Sequence, residues 1–521
     1  MGGHSLLSTS LVFRICKAFS IEFPLRYVFE APTIAAQSKL IEPLKAISFP
    51  KTLPLSKRSA ETPIPLSLPQ QYLWYLQQKF DKGGSDLNSS IVVRLKADLS
   101  PAVLEQSCNE IIRRHEILRT VFPIVVDQPI QVVLPALSLA VFYADLQSLP
   151  AADREAEAVR LGIKIAQPPF DLASAPLIRV AQFQLAPQEH WLLITMHHII
   201  TDGWSFGIFL QELDTLIRAF SNGLPSPLPA LSFQYADFAV WQQQISTQGI
   251  NQSHLEYWQR KLVGSIPELT PEQAELSEPA NSIAPNKQAG HYFTHISEST
   301  TVAVESLSRS RKITHFVILL AALKITLSRS SGQREVMVIA TVGNRTMPET
   351  EPMIGCFIND VILRSLISLD QTGLDLMYQL RETVNEAIDH KDAPFQQVIE
   401  QTQRYRDLNL MASLTMSSSA QSFDQLPDWE VVDLRDKQSH WDDLSSELYD
   451  ETTPLELYVE LSDTIRIIIN YSLEQFTAEA VDRLFTDYQA VLTQLVTHPH
   501  TTLAELFNVE FFSVKPCEEL V

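Results

Sequence analysis

The sequence predicts an α/β protein whose main body is built from two strand-and-helix halves. Dense apolar segments begin at Leu66, and strand-type and helix-type periodicities alternate from there onward. Two polar, proline-containing stretches, 43–65 and 270–290, punctuate the chain as linkers do. At ~150 residues per domain, a length of 521 residues allows about two to four domains.

Residues 1–42 read as a helical fragment. Leu7, Leu11, Ile15 and Phe19 recur every four positions and form one apolar face. Pro24 and Pro32 break the pattern, and Thr33 is placed to cap a short helix through Leu40. This fragment is too small to hold a core of its own. Residues 43–65 carry five prolines in a mostly polar background. In the first half, 66 to about 235, Leu73, Leu76 and Phe80 suggest a helix, Ile91–Leu95 a strand and Ala102–His115 a helix. Segment 189–197 (EHWLLITMH) suits a strand covered on both faces. From Asp202 onward Phe206, Phe209, Leu210 and Leu213 have helical spacing. In the second half, about 236 to 515, Val302–Ser328 is helix-rich and Val336–Val342 reads as a strand. Leu374–His390 follows as a helix and Leu455–Leu461 as an alternating strand. The acidic stretch 424–451 reads as a solvated loop. No repeat is visible.

Composition excludes several function classes. The net charge of −21 opposes binding to nucleic acid or anionic lipid. No apolar run reaches bilayer-spanning length. Arg14 and Lys17 interrupt the first apolar stretch, so it is a poor signal peptide, and Leu6 stands where a myristoylation signal needs Ser or Thr. Cys16, Cys108, Cys356 and Cys517 lie far apart, which disfavours a zinc site or a disulfide framework and suits a reducing, cytoplasmic setting.

The sharpest chemical feature is MHHIITDGWS, residues 196–205. Neighbouring strand residues point to opposite faces, so His197 and His198 cannot share one role. One faces inward while the other faces a cleft, where a neutral imidazole accepts or relays a proton near pH 7. Asp202 suits pairing with a buried arginine, and Gly203 permits a backbone bend. Taken alone, the pair is better read as two core or surface histidines beside a helix-capping aspartate. No third residue has convincing metal-ligand spacing, so no metal is expected.

The companions of that motif form an ordered set. SLPQQYLWYL (67–76), RRHEILRTVF (113–122), MHHIITDGWS, YADFAVW (235–241), IGCFINDVILR (354–364) and HKDAPF (390–395) follow one another. Together they resemble the condensation domains of nonribosomal peptide synthetases, whose hallmark is HHxxxDG. Tyr72 stands where that family usually has arginine, Asp360 where it has threonine, and only Arg406 and Asp407 remain of its last motif. GGHSLL (2–7) with FPLRYVFEAPTIAAQ resembles the C-terminal half of a peptidyl carrier domain, whose serine, here Ser5, bears 4′-phosphopantetheine. A serine opening a helix sits where backbone amides favour a phosphodiester, although it is also a plain N-cap.

The resemblance implies a partial carrier domain at 1–42, a linker at 43–65, and condensation-domain subdomains at 66–235 and 236–515. The implied fold is two chloramphenicol-acetyltransferase-like subdomains in a V-shaped pseudo-dimer with a tunnel between them. The implied reaction joins a carrier-bound donor acyl or peptidyl thioester to a carrier-bound acceptor aminoacyl thioester, of the L-to-L type. His198 is the implied base or amine-positioning group. His197 and Asp202 are implied to be structural, with Arg345 or Arg119 as partner of Asp202, and Gly203 to line the loop near the reacting carbonyl. A heterocyclising relative would replace the histidines by aspartates; an epimerising one is a minor option. The implied partners are donor and acceptor carrier domains and other synthetase modules. Without an adenylation domain, the chain is not expected to use ATP. The carrier's first helix is missing, so the chain is expected to begin inside a domain. A silent docking module and an acyltransferase with a soluble acceptor are the competing readings.

Overall fold

The computed structural model describes residues 11–507 apart from 13, 17, 20, 22, 24–26, 29–30, 32, 46–52, 60–62, 81–86, 250–251, 264–288, 346, 402–411, 418–425, 427, 433–454, 462–463 and 474. Ser5, Leu7, Cys517, Arg406 and Asp407 therefore lie outside the described residues.

The first half is organised around a five-stranded sheet in the order Trp429–Val431, Asn88–Leu95, Glu189–His197, Ile178–Ala186, Phe142–Asp145. All neighbours are antiparallel except the last pair. The 189–197 strand is central because both of its faces are apolar. Leu192, Ile194 and Met196 join the core beneath helices Pro101–Arg114 and Gly203–Ser221. Trp191 and Leu193 join the opposite core, with Ala158 and Val159 of helix Ala151–Ala166. Burying one such side chain contributes about 1.5–3 kcal/mol, so packing on both faces holds this strand, and the turn that follows it, in place.

The second half has a six-stranded mixed sheet in the order Ile358–Leu366, Glu335–Gly343, Ser413–Ser417, Leu455–Leu461, Ile465–Ser472, Ala289–His295. Its apolar face packs under helices His315–Ser331, Gly373–Asp389 and Ala478–Thr497. Helix 315–331 is mostly apolar and buried, and its one buried cation, Lys324, donates to the carbonyls of Val336 and Leu363. A smaller sheet links Ile64–Pro65, Gln128–Val133, Thr120–Val121 and Ile124–Val125.

Three details differ from the sequence expectations. Within the acidic 424–451 stretch, Leu426 and Trp429 are buried, and Trp429–Val431 pairs with residues 93–95 of the first half's sheet. The burial of one indole and one isobutyl group outweighs the acidic surroundings that suggest a solvated loop. In the N-terminal fragment Ile15 is buried, but Leu11 and Phe19 are exposed. Thr33 does cap the following helix, accepting a hydrogen bond from the Ala36 amide, and that helix runs on to Leu44 through Pro43. No single helix among the described residues is long and apolar enough to cross a membrane.

Candidate active site

The 189–197 strand ends at His197, and His198 opens a short 3-10 turn, His198–Ile200, rather than continuing the strand. The two rings consequently occupy opposite environments. His197 is buried. Its Nδ1 accepts a hydrogen bond from the Ile199 amide (3.0 Å) and its Nε2 lies 2.8 Å from Gln77 Oε1, which makes Nε2 the protonated nitrogen. Phe170 packs edge-on against the ring. Burial, reinforced by neighbouring His198, pushes its pKa down to about 3. His197 is thus a neutral imidazole, hydrogen-bonded at both nitrogens, that closes the strand.

His198 is half-buried. Its Nδ1 is shielded from solvent, and backbone groups of residues 198 and 201 lie beside the ring. Burial holds its pKa below the usual histidine value, with the Asp202 carboxylate opposing that shift. The ring is therefore neutral at pH 7 and retains a lone pair, which a base or a hydrogen-bond acceptor for an amine requires.

Asp202 terminates the turn and caps helix 203–221. Its Oδ1 accepts from the Ser205 amide (2.8 Å) and Ser205 Oγ (2.7 Å), and its Oδ2 from the Phe357 amide (3.0 Å). Arg345 Nη2 approaches both carboxylate oxygens, at 3.0 and 3.2 Å. Its other terminal nitrogen, Nη1, donates to the carbonyls of Thr350 and Met353, both at 2.7 Å, and the guanidinium lies over the Phe357 ring. Arg345 is thus the partner of Asp202. Arg119 instead donates to the Leu134 carbonyl, just past the Gln128–Val133 strand. A buried pair with this many supporting bonds locks geometry rather than adding net stability. Gly203, the first helical residue, is exposed, and nothing lies within 4 Å of where a Cβ would project. The site therefore has open space at the positive end of a helix.

Sequence reasoning does not find the polar groups that hold this turn from outside. Helix Leu68–Phe80 supplies two glutamines: Gln77 on His197, and Gln70, whose Nε2 donates to the Ile199 carbonyl (3.1 Å). Both lie on or near the SLPQQ motif, but glutamines on a helix carry no mark of their partners. The IGCFIND and HKDAPF motifs also meet, because Asn359 Nδ2 donates to the carbonyls of Lys391 and Ala393. Tyr72 packs edge-on against Phe395, bridging the two cores. Asp360 accepts from Thr341 Oγ1 across adjacent strands (2.8 Å).

Comparison with known proteins fits this arrangement. A family model described as a condensation domain matches residues 60–513, nearly the whole described body. The chain belongs to the condensation-domain family. A second model, a phosphopantetheine attachment site, matches residues 1–41, ahead of the condensation domain. The chain is 35% identical over 511 residues to one of the linear gramicidin synthase subunits of Brevibacillus parabrevis, covering 97% of this chain and 10% of that one. It is 33% identical over 506 residues to malpibaldin synthetase of Mortierella alpina, covering 96% of this chain and 9% of that one. The chain therefore spans a small part of the length of these synthetases. Among solved structures, the X-domain from teicoplanin biosynthesis superposes with a TM-score of 0.73 at 22% identity, covering 87% of this chain and 99% of that one. The first condensation domain of the calcium-dependent antibiotic synthetase does so with a TM-score of 0.67 at 16% identity, covering 85% and 99%. The fold is accordingly that of two chloramphenicol-acetyltransferase-like subdomains in a pseudo-dimer, and membership of this family ties the chain to peptide-bond formation in general.

Proposed function

We propose that this condensation domain joins a donor acyl or peptidyl thioester to an acceptor aminoacyl thioester, each carried by a peptidyl carrier domain, and that both are L-configured. One observation carries the reading: a neutral, half-exposed His198 stands at the head of a turn whose other end is fixed by the buried Asp202–Arg345 pair. In the reaction the acceptor amine attacks the thioester carbonyl, a C–N bond forms, the C–S bond breaks, and the amine proton ends on the departing thiol. His198 receives the hydrogen bond from the attacking amine. Holding amine and thioester together supplies up to about 7–11 kcal/mol of the barrier. Gly203 leaves room for the reacting carbonyl, and the helix that starts there directs its positive end to the developing oxyanion. His197 and Asp202 keep the turn in place.

On this reading Ser5 carries 4′-phosphopantetheine and presents the donor. The acceptor arrives on a second carrier from another synthetase module, and the chain works in the cytoplasm. Residues 1–42, 43–65, 66–235 and 236–515 are the carrier fragment, linker and two subdomains. The test is a transfer assay with separately loaded donor and acceptor carriers added to the chain and the products read by intact-protein mass spectrometry. Dipeptidyl carrier formed with an L-donor, and much less with its D-isomer, is the expected result. No product from either donor would reject the reading.

A further inference from the structure

The sequence motifs of the first half converge on one short backbone segment of the second. The Ile354 amide reaches His115 Nδ1 (3.4 Å), the Gly355 amide Ser205 Oγ (3.0 Å), and the Phe357 amide Asp202 Oδ2 (3.0 Å). Between them, the Cys356 carbonyl accepts from Tyr235 Oη (2.5 Å). Four successive residues are thus each held by a different side chain of the first half.

From Cys356 a chain of bonds runs back to the His198 turn. Tyr235 has one hydroxyl proton, and it goes to the Cys356 carbonyl, so Ser67 Oγ, 2.7 Å away, donates to Tyr235. Ser67 and Gln70 cap each other, with the Ser67 amide donating to Gln70 Oε1 (3.0 Å) and the Gln70 amide to Ser67 Oγ (3.3 Å). Gln70 Nε2 then donates to the Ile199 carbonyl, one residue after His198 (3.1 Å). The Gln70 side-chain amide is oriented by partners at both ends: its oxygen faces an N–H and its nitrogen faces a carbonyl. Ser67, Gln70 and Tyr235 are all at most 1% exposed, so water does not substitute for a broken link.

We propose that Tyr235, Ser67 and Gln70 form a relay that registers the His198 turn against residues 354–357 of the second half, and that Tyr235 and Gln70 are positioning residues of the reaction. The inference rests on the condensation reading for its catalytic consequence, although the relay itself does not. It separates two functions in one turn. Asp202 and Arg345 fix the far end of the turn through charge, whereas the relay fixes the near end through neutral bonds to the Ile199 backbone that do not involve the His198 ring. Breaking the relay lets the turn shift without opening the ion pair, so substrate capture is retained while the productive alignment of amine and thioester is lost.

The test uses the full chain and three variants. Tyr235→Phe keeps the ring and removes the hydroxyl. Gln70→Ala removes the final link. Gln70→Glu keeps the shape, but only its protonated form donates to Ile199. For Tyr235→Phe and Gln70→Ala the transfer assay is expected to give kcat at least tenfold lower with KM for each loaded carrier within twofold, and the double variant no slower than the slower single one. The rate of Gln70→Glu relative to the parent chain should fall as pH rises and the new carboxyl ionises. Independently of activity, hydrogen exchange should be at least tenfold faster at amides 197–203 in Tyr235→Phe, far along the chain from the substitution. Active parent chain with unchanged kcat and unchanged exchange in Tyr235→Phe would overturn the relay and leave the reaction standing. An inactive parent chain would remove the reaction, and the exchange arm would still decide the relay.

Discussion

The two halves contribute to the site unequally. The first half supplies side chains: the two histidines, Asp202, Ser205, Gln70 and Tyr235. The second supplies one guanidinium, Arg345, the Phe357 ring beneath it, and otherwise mainly backbone, above all the amides and carbonyl of residues 354–357. On the proposed reading the first half is the chemical part and the second the template against which that part is held. Such a division has consequences for substitution. Changes in the first half should act through what a side chain does, and changes in the second through where the backbone lies.

The largest expected effect falls on the one charged contribution of the second half. Arg345→Ala leaves Asp202 buried without its counter-charge and should cost about 3–5 kcal/mol, read from the chemical-denaturation midpoint. A loss below about 1 kcal/mol, the worth of an exposed pair, would mean the halves are not locked there. Next comes acidity. The folded-state pKa of His197 is about 3, against 6.5 for the free side chain, so the unfolded chain binds more protons between those values. Stability from this ring is therefore complete above pH 6.5 and is lost as pH falls from 6.5 toward 3. Denaturation midpoints measured from about pH 7 to 4 should fall, and fall less steeply in His197→Gln.

A backbone change in the second half sharpens the contrast. At Gly355 a Cβ would run into the Tyr235 ring, so Gly355→Ala must displace either the ring or the segment. Over-packing of this kind costs about 1–3 kcal/mol, seen as a lowered melting temperature. In the first half, Gly203→Ala meets open space instead. Its stability should stay within about 0.5 kcal/mol of the parent, while transfer between loaded carriers drops. If transfer is unaffected, the space beside Gly203 is not used by substrate.

Legibility in the sequence follows the same division. The strand, the turn and the capped helix around MHHIITDGWS are readable because apolar periodicity and the Asp202 cap are local signals. Arg345 is readable as one of two candidates, since a buried carboxylate at that position asks for a cation. The grip on residues 354–357 is not readable, because backbone amides and carbonyls carry no residue identity. Gln70 and Gln77 are hidden for a related reason: their partners lie far along the chain, at Ile199 and His197. The strand at Trp429–Val431 is masked by its acidic flanks. The change of His198 from strand end to 3-10 turn is a one-residue matter that periodicity does not resolve.

The central claim is that the lone pair of His198 serves the attacking amine, and it is tested by comparing the parent chain with His198→Ala in single-turnover transfer between loaded carriers across about pH 5–8, the range in which imidazoles titrate. A group that handles this proton is worth about 10²- to 10⁴-fold. The account predicts a loss of at least that order in the folded variant, and a parent rate that declines as pH falls and the imidazole is protonated. A folded His198→Ala chain that transfers at the parent rate would contradict it.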